Sequence, residues 1–146
     1  MPYRQLICKV LFALITPIGS AAIVDDGNEN PAVSIKPNSQ GFINVFNGHD
    51  YEWDDEECIS ARIYYFDGLS HEMNLYRLDT THNGHNTDPD IAANNNTLAV
   101  TWTSNDISDE GIKARVFDPN INPLTPEFAV NSTTSGKQCE PAIALD

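Results

Sequence analysis

From residue 31 onward, apolar residues fall in short runs separated by clusters of Asn, Asp, Gly and Pro, the pattern of β-strands joined by tight turns. The alternation is cleanest in Ile59-Ser60-Ala61-Arg62-Ile63 and Ile112-Lys113-Ala114-Arg115-Val116. Because side chains on a strand point to opposite faces in turn, Ile59, Ala61 and Ile63 are predicted to share a packed face, as are Ile112, Ala114 and Val116. Arg62 and Arg115 then lie on the other, outward face. Two further runs, Phe42-Ile43-Asn44-Val45-Phe46 and Leu98-Ala99-Val100-Thr101-Trp102, are partly apolar on both faces, as a strand covered from both sides should be. No segment beyond residue 22 carries a helical period of useful length, so an all-β fold is expected.

The strands occur in a recurring order. Pro31-Ala32-Val33-Ser34-Ile35 opens one series, Pro89-Asp90-Ile91-Ala92-Ala93 a second, and Pro141-Ala142-Ile143-Ala144-Leu145 begins a third. In the first two series a strand ending in Phe46 or Trp102 follows, then an acidic loop, then the alternating strand, then a short strand, Tyr76-Arg77-Leu78 or Phe128-Ala129-Val130. The linkers Asp79-Thr80-Thr81 and Asn131-Ser132-Thr133 close each series. A period of about 50 residues points to stacked β units, because each leaves an apolar face that only a neighbour covers. The expected architecture is tandem four-stranded antiparallel blade-like repeats, a partial or oligomer-completed β-propeller. Its segments are 23–30 as a lead-in, 31–88 and 89–140 as two blades, and 141–146 as the first strand of a third.

Residues 1–22 read differently. Arg4 and Lys9 flank the apolar run Val10 to Ile15, and the small residues Gly19-Ser20-Ala21-Ala22 follow Pro17, the layout of a secretory signal peptide cleaved after Ala22. A secreted or cell-surface location is the expectation, with no stable membrane span. Removing this segment takes two of the eight basic residues and none of the 21 acidic ones, so the charge moves from −13 to −15. Such a surface disfavours nucleic acid, which is bound through clustered Lys and Arg, and attracts cations. Of three cysteines, Cys8 leaves with the signal, and Cys58 and Cys139 remain as a candidate disulfide or as two thiols.

The motif Pro-x-Ile-Ala, the strand Leu98 to Trp102 with Thr103-Ser104, the strand Gly111 to Asp118 and the segment Asn122 to Asn131 together resemble the repeats of large secreted or surface-bound bacterial proteins. Those repeats are similar to β-propeller blades and accompany calcium-binding and adhesin-like modules. The resemblance implies a structural or adhesive role. It is strongest over residues 89–140. The first series departs from it at Phe46, in its longer acidic loop and in the insertion Tyr64-Tyr65.

The candidate chemistry lies in the acidic loops. Asp50 to Glu57 and Asp106 to Glu110 concentrate carboxylates, and Ca²⁺ takes six to eight oxygen ligands; Asp54, Asp55, Glu56, Asp106, Asp109 and Glu110 are the candidate ligands, with a solvated acidic turn as the plainer reading. Trp53 beside Asp54 and Asp55 is the candidate contact for a glycan or surface protein, because sugar rings stack on aromatic faces flanked by carboxylates, with apolar packing against the blade beneath as the plainer reading. Trp102 is expected in the core. No residue is assigned a catalytic role: His82 and His85 lack ligand partners at metal spacing, and no Ser-His-Asp set, phosphate loop or Cys-x-x-Cys is present. The expected function is a secreted or surface β-repeat module with a structural, adhesive or ligand-binding role. A hydrolase fragment acting on extracellular glycans and an oligomeric propeller lectin are the alternatives. Two blades cannot close a propeller, so the chain is expected to be a piece of a longer protein or a homo-oligomer.

Overall fold

A computed structural model describes residues 29–35, 41–50, 56–65, 75–81, 85–106 and 109–146. The expected signal segment, most of the lead-in, and Trp53, Asp54 and Asp55 lie outside the described residues. The protein is all-β, with two antiparallel four-stranded sheets and no helix among the described residues. The first sheet is built in chain order from β1 (Glu29–Ile35), β2 (Gly41–Asp50), β3 (Glu56–Tyr65) and β4 (Tyr76–Arg77). The second follows as β5 (Thr87–Ala93), β6 (Leu98–Asn105), β7 (Glu110–Phe117) and β8 (Phe128–Ala129). No helix of the described residues is long and apolar enough to cross a membrane.

The two sheets use the same local devices at aligned positions. Ile43 faces Ile63 and Val45 faces Ala61 across β2 and β3; Ala99 faces Val116 and Thr101 faces Ala114 across β6 and β7. Each first strand carries an irregularity near its start, between Glu29 and Ala32 and between Thr87 and Asp90. At the second of these Asp88 adopts φ 49°, directly before Pro89, and Glu140 adopts φ 56° directly before Pro141. A left-handed residue followed by proline cannot continue a regular ladder, since proline lacks the N–H, so the chain bends there and enters the next strand from a fixed direction.

Alternation along the strands gives each sheet a preceding and a following face. Ile43, Val45, Ile59, Ala61 and Ile63, on the following face of the first sheet, meet Leu98, Val100, Trp102 and Phe117 on the preceding face of the second, and these residues form one buried cluster with Leu78, Ile91 and Ile121. Trp102 is fully enclosed. At roughly 25 cal/mol per Å² of apolar area, burial of these side chains is the main term holding the sheets together. β2 is buried from Gly41 to Asn47 and β6 from Leu98 to Ser104 on both faces, as the two-sided apolar pattern of those strands requires.

The charged side of β7 was expected to face solvent, and it does not. Lys113 and Arg115 lie on the same face as Trp102 and Phe117 and reach across to the first sheet, where Lys113 Nζ donates to Thr81 Oγ1 at 2.7 Å and Arg115 Nη1 donates to the Leu78 carbonyl at 2.9 Å. Their aliphatic stems pack in the interface, and the heads find partners at its rim, Arg115 also standing 5.4 Å above the Phe117 ring. Pure alternation cannot reveal this, because it marks two faces without saying which one a neighbour covers.

The expected third strand is seated but forms no ladder among the described residues. Glu140 N donates to Thr103 Oγ1 at 3.3 Å, Ile143 N to Asp90 Oδ2 at 2.9 Å, and Asn94 Nδ2 to the Asp146 carbonyl at 3.2 Å. Thr103 and Asp90 both belong to the following face of the second sheet. Residues 140–146 therefore lie over β5 and β6 on the side away from the first sheet.

Candidate functional site

The described ends of the second acidic loop, Asp106 and Asp109, are tied to each other. Asp106 N donates to the Asp109 carbonyl at 3.2 Å, and Asp109 N returns a bond to Asp106 Oδ1 at 3.0 Å. Glu110 is paired with Lys137 at 2.8 Å, and its carbonyl accepts Gln138 N at 2.9 Å. The hydrogen bond and charge of Glu110 raise the Lys137 pKa. Gly111 makes room for this arrangement: a Cβ there would lie 2.9 Å from Asp106 Oδ2 and 3.2 Å from Asn131 Oδ1. The carboxylates of Asp106 and Glu110 thus serve these contacts, while Asp109 enters them through its backbone. Among the described residues no three His, Cys, Asp or Glu side chains gather closely enough to hold a metal. Glu56 begins β3, and Glu57 beside it pairs with His85.

Cys58 and Cys139 are both thiols, the first buried and the second exposed. The Cys58 Sγ stands 3.5 Å from Ser60 Oγ. No disulfide joins the two in this structure.

The densest polar chemistry lies between the sheets. Glu127, just before β8, accepts Thr80 N at 2.8 Å and Thr80 Oγ1 at 3.1 Å on one oxygen. On its other oxygen it accepts Thr81 Oγ1 and Lys113 Nζ, the latter at 2.7 Å. Burial alone would raise the Glu127 pKa; the bonds from Lys113, Thr81 and Thr80 outweigh that and hold it down at about 2. The carboxylate is therefore ionised at neutral pH and clamps the linker after β4 to the second sheet.

A second knot ties each sheet to the linker that leaves it. Asp79 Oδ1 accepts Ile59 N at 2.9 Å, while Asp79 Oδ2 accepts Asn86 Nδ2 at 3.1 Å and Arg77 Nη2 at 3.0 Å. In the second sheet Asn131 Oδ1 accepts Ile112 N at 2.8 Å and Asn131 Nδ2 donates to Gln138 Oε1 at 3.0 Å. The backbone bonds beside them also match, Leu78 N to the Ile59 carbonyl and Val130 N to the Ile112 carbonyl, both at 2.8 Å. Burial raises the Asp79 pKa, with Arg77 and the Ile59 N–H working against it. The three arginines of the strands are spent on such contacts or spread apart: Arg77 binds Asp79, Arg115 binds the Leu78 and Thr125 carbonyls, and Arg62 sits on the opposite face of the first sheet from Ala61.

Neither Glu127 nor Asp79 stood out in the sequence as a functional position. The signal for Asp79 was its alignment with Asn131 at the head of each linker. Glu127 aligns with Leu75, so no recurrence marks it. Comparison with protein-family models, with curated proteins and with solved structures gives no match.

Proposed function

We propose that this chain is a secreted or cell-surface module of stacked, blade-like β-repeats, part of a propeller-type array with a structural, adhesive or ligand-presenting role. One observation carries the reading: the second sheet seats on the first through the same registers, entry bend and linker knot that the second sheet itself carries, and residues 140–146 begin to seat on the second sheet in turn. A unit that covers its neighbour and leaves its own far face to be covered is built to be stacked. The polar groups described above hold sheets together, which suits a scaffold. A glycan or surface protein remains the proposed ligand, at Trp53, Asp54 and Asp55, and calcium the proposed ion.

Export tests the location directly. The full chain, expressed in a bacterial host with a C-terminal epitope, should appear in the medium or on protease-accessible cell surfaces, and a chain lacking residues 1–22 should stay inside. Equal retention of both would remove the secreted reading. Binding of the exported chain to a glycan array, lost in Trp53→Ala, would assign the ligand role; unchanged binding would move it away from that loop.

A further inference from the structure

Apolar positions covered on the following face of the first sheet have more exposed counterparts on the outer half of the second, most of all on its last strand. Leu78 is 1% exposed and its counterpart Val130 is 54% exposed. Tyr76 packs against the core, whereas Phe128 in its place is 46% exposed. Phe128 faces Ala114 across the ladder, and Val130 pairs with Ile112, so both extend the apolar row of β7. The inner half of the same face already lies under residues 140–146.

The polar half of the docking chemistry recurs as well. The first sheet receives the second through the Leu78 carbonyl, which binds Arg115, and through Thr80 and Thr81, which bind Glu127 and Lys113. On the second sheet these positions are Val130, Ser132 and Thr133, so the same backbone carbonyl and the same pair of hydroxyls are offered, with Val130, Ser132 and Thr133 all exposed.

We infer that the outer part of this face, Ile112, Val116, Phe128, Val130, Ser132 and Thr133, is a socket for a third four-stranded sheet of the second sheet's kind. Its third strand carries Lys-x-Arg at the positions of Lys113 and Arg115, and a Glu precedes its outermost strand. The inference rests on the stacked-sheet reading above and names the partner that reading lacks. Charge and shape exclude the first sheet of a second copy as the occupant. That sheet has Ser60 where the second has Lys113 and Leu75 where the second has Glu127, so it cannot form the latch. Its corresponding face is also closed already, with Phe42, Asn44 and Phe46 buried. The second sheet of another copy is likewise engaged, its preceding face being packed on its own first sheet.

The test extends the chain. Residues 95–146 are repeated directly after Asp146, so that Pro141–Asp146 opens a complete third unit as Pro89–Asn94 opens the second. Val130→Cys, in a background where Cys8, Cys139 and the added copy of Cys139 are serine and the buried Cys58 is alanine, reports on the socket through its rate of iodoacetamide labelling under native conditions. The parent chain should label fast, and the extended chain slower by at least about tenfold, the protection given by a packed interface. Exchanging the added unit's counterparts of Lys113, Arg115 and Glu127 for Ala should restore fast labelling while circular dichroism shows the β content unchanged. Equal labelling of parent and extended chains, with the added unit folded, would overturn the inference. So would protection in the parent that grows with protein concentration, which would give the face to a second copy. Because the purified chain is used, failure of export leaves this result standing, and failure here leaves the export result standing.

Discussion

Asp79 and Asn131 perform one task with different chemistry, and the difference fixes what substitution should do. Both accept the N–H of an isoleucine on the third strand, a donor that would otherwise be buried without a partner. Asp79→Ala removes that acceptor and is expected to cost about 2–3 kcal/mol in urea unfolding. Asp79→Asn should cost about 1–2 kcal/mol at neutral pH: the guanidinium of Arg77 loses the carboxylate it pairs with, while the Ile59 N–H keeps an acceptor and turning the Asn86 amide would let the introduced side-chain amide donate to Asn86 Oδ1, an atom with no hydrogen-bond partner in the present arrangement. That would reproduce the Asn131–Gln138 pair. The pH dependence separates the two forms. The folded-state pKa of Asp79 is raised, so its protonated form is favoured in the native protein, and the native protein loses stability as pH rises from the ordinary value of 3.8 through the raised one. Asp79→Asn should abolish that part of the slope; an unchanged stability-versus-pH curve would show that Asp79 is not strained by its burial.

At the level of strands and turns, the latch around Glu127 has the opposite sign. Its folded pKa of about 2 lies below the ordinary 4.5, so its contribution is complete above about 4.5 and is lost as pH falls toward 2. Discounted for the solvent that still reaches the cluster, Glu127→Gln is expected to cost about 1–2 kcal/mol at pH 6, and that cost should shrink by roughly half at pH 3. A cost independent of pH would mean that the carboxylate's charge is not what holds Thr80 and Thr81. A further element-level test is Gly111→Ala, which should destabilise by pushing on Asp106 and Asn131, because the new methyl would stand 2.9 Å from Asp106 Oδ2 and 3.2 Å from Asn131 Oδ1, the oxygen that accepts Ile112 N. Strand identity was legible in the sequence for a physical reason: β2, β3, β6 and β7 are long ladders built on apolar runs, and their centres agree with the expected runs. Their ends were not. β2 continues to Asp50 and β3 begins at Glu56, so charged residues taken for loop lie in the hairpin ladder, where backbone pairing does not depend on side-chain polarity. The two-residue strands β4 and β8 were visible only through recurrence.

For the whole molecule, what alternation alone misplaced was the direction of packing. Lys113 and Arg115 look like solvent residues when β7 is read alone, yet they line the inter-sheet contact. Ile112 and Val116, which look like core, stay only partly buried on the far face. Which face of a sheet is covered first depends on where the chain goes next, and the left-handed Asp88 and Glu140, before Pro89 and Pro141, mark the bends at which it turns across the following face. Trp102 is the side chain through which this contact should be felt most. It is fully enclosed on the face that meets the first sheet, and its aligned residue there is Phe46. Trp102→Ala is therefore expected to cost about 3–5 kcal/mol, the range for deleting a large buried aromatic. Trp102→Phe keeps most of the buried area and removes an indole N–H that has no partner, so it should cost distinctly less. If the sheets form one cooperative unit, both variants unfold in a single transition with fluorescence and circular dichroism coinciding. Two separate transitions in Trp102→Ala, with the first sheet melting apart from the second, would show instead that each sheet stands without its neighbour, and a stacked array would then not be the source of its stability.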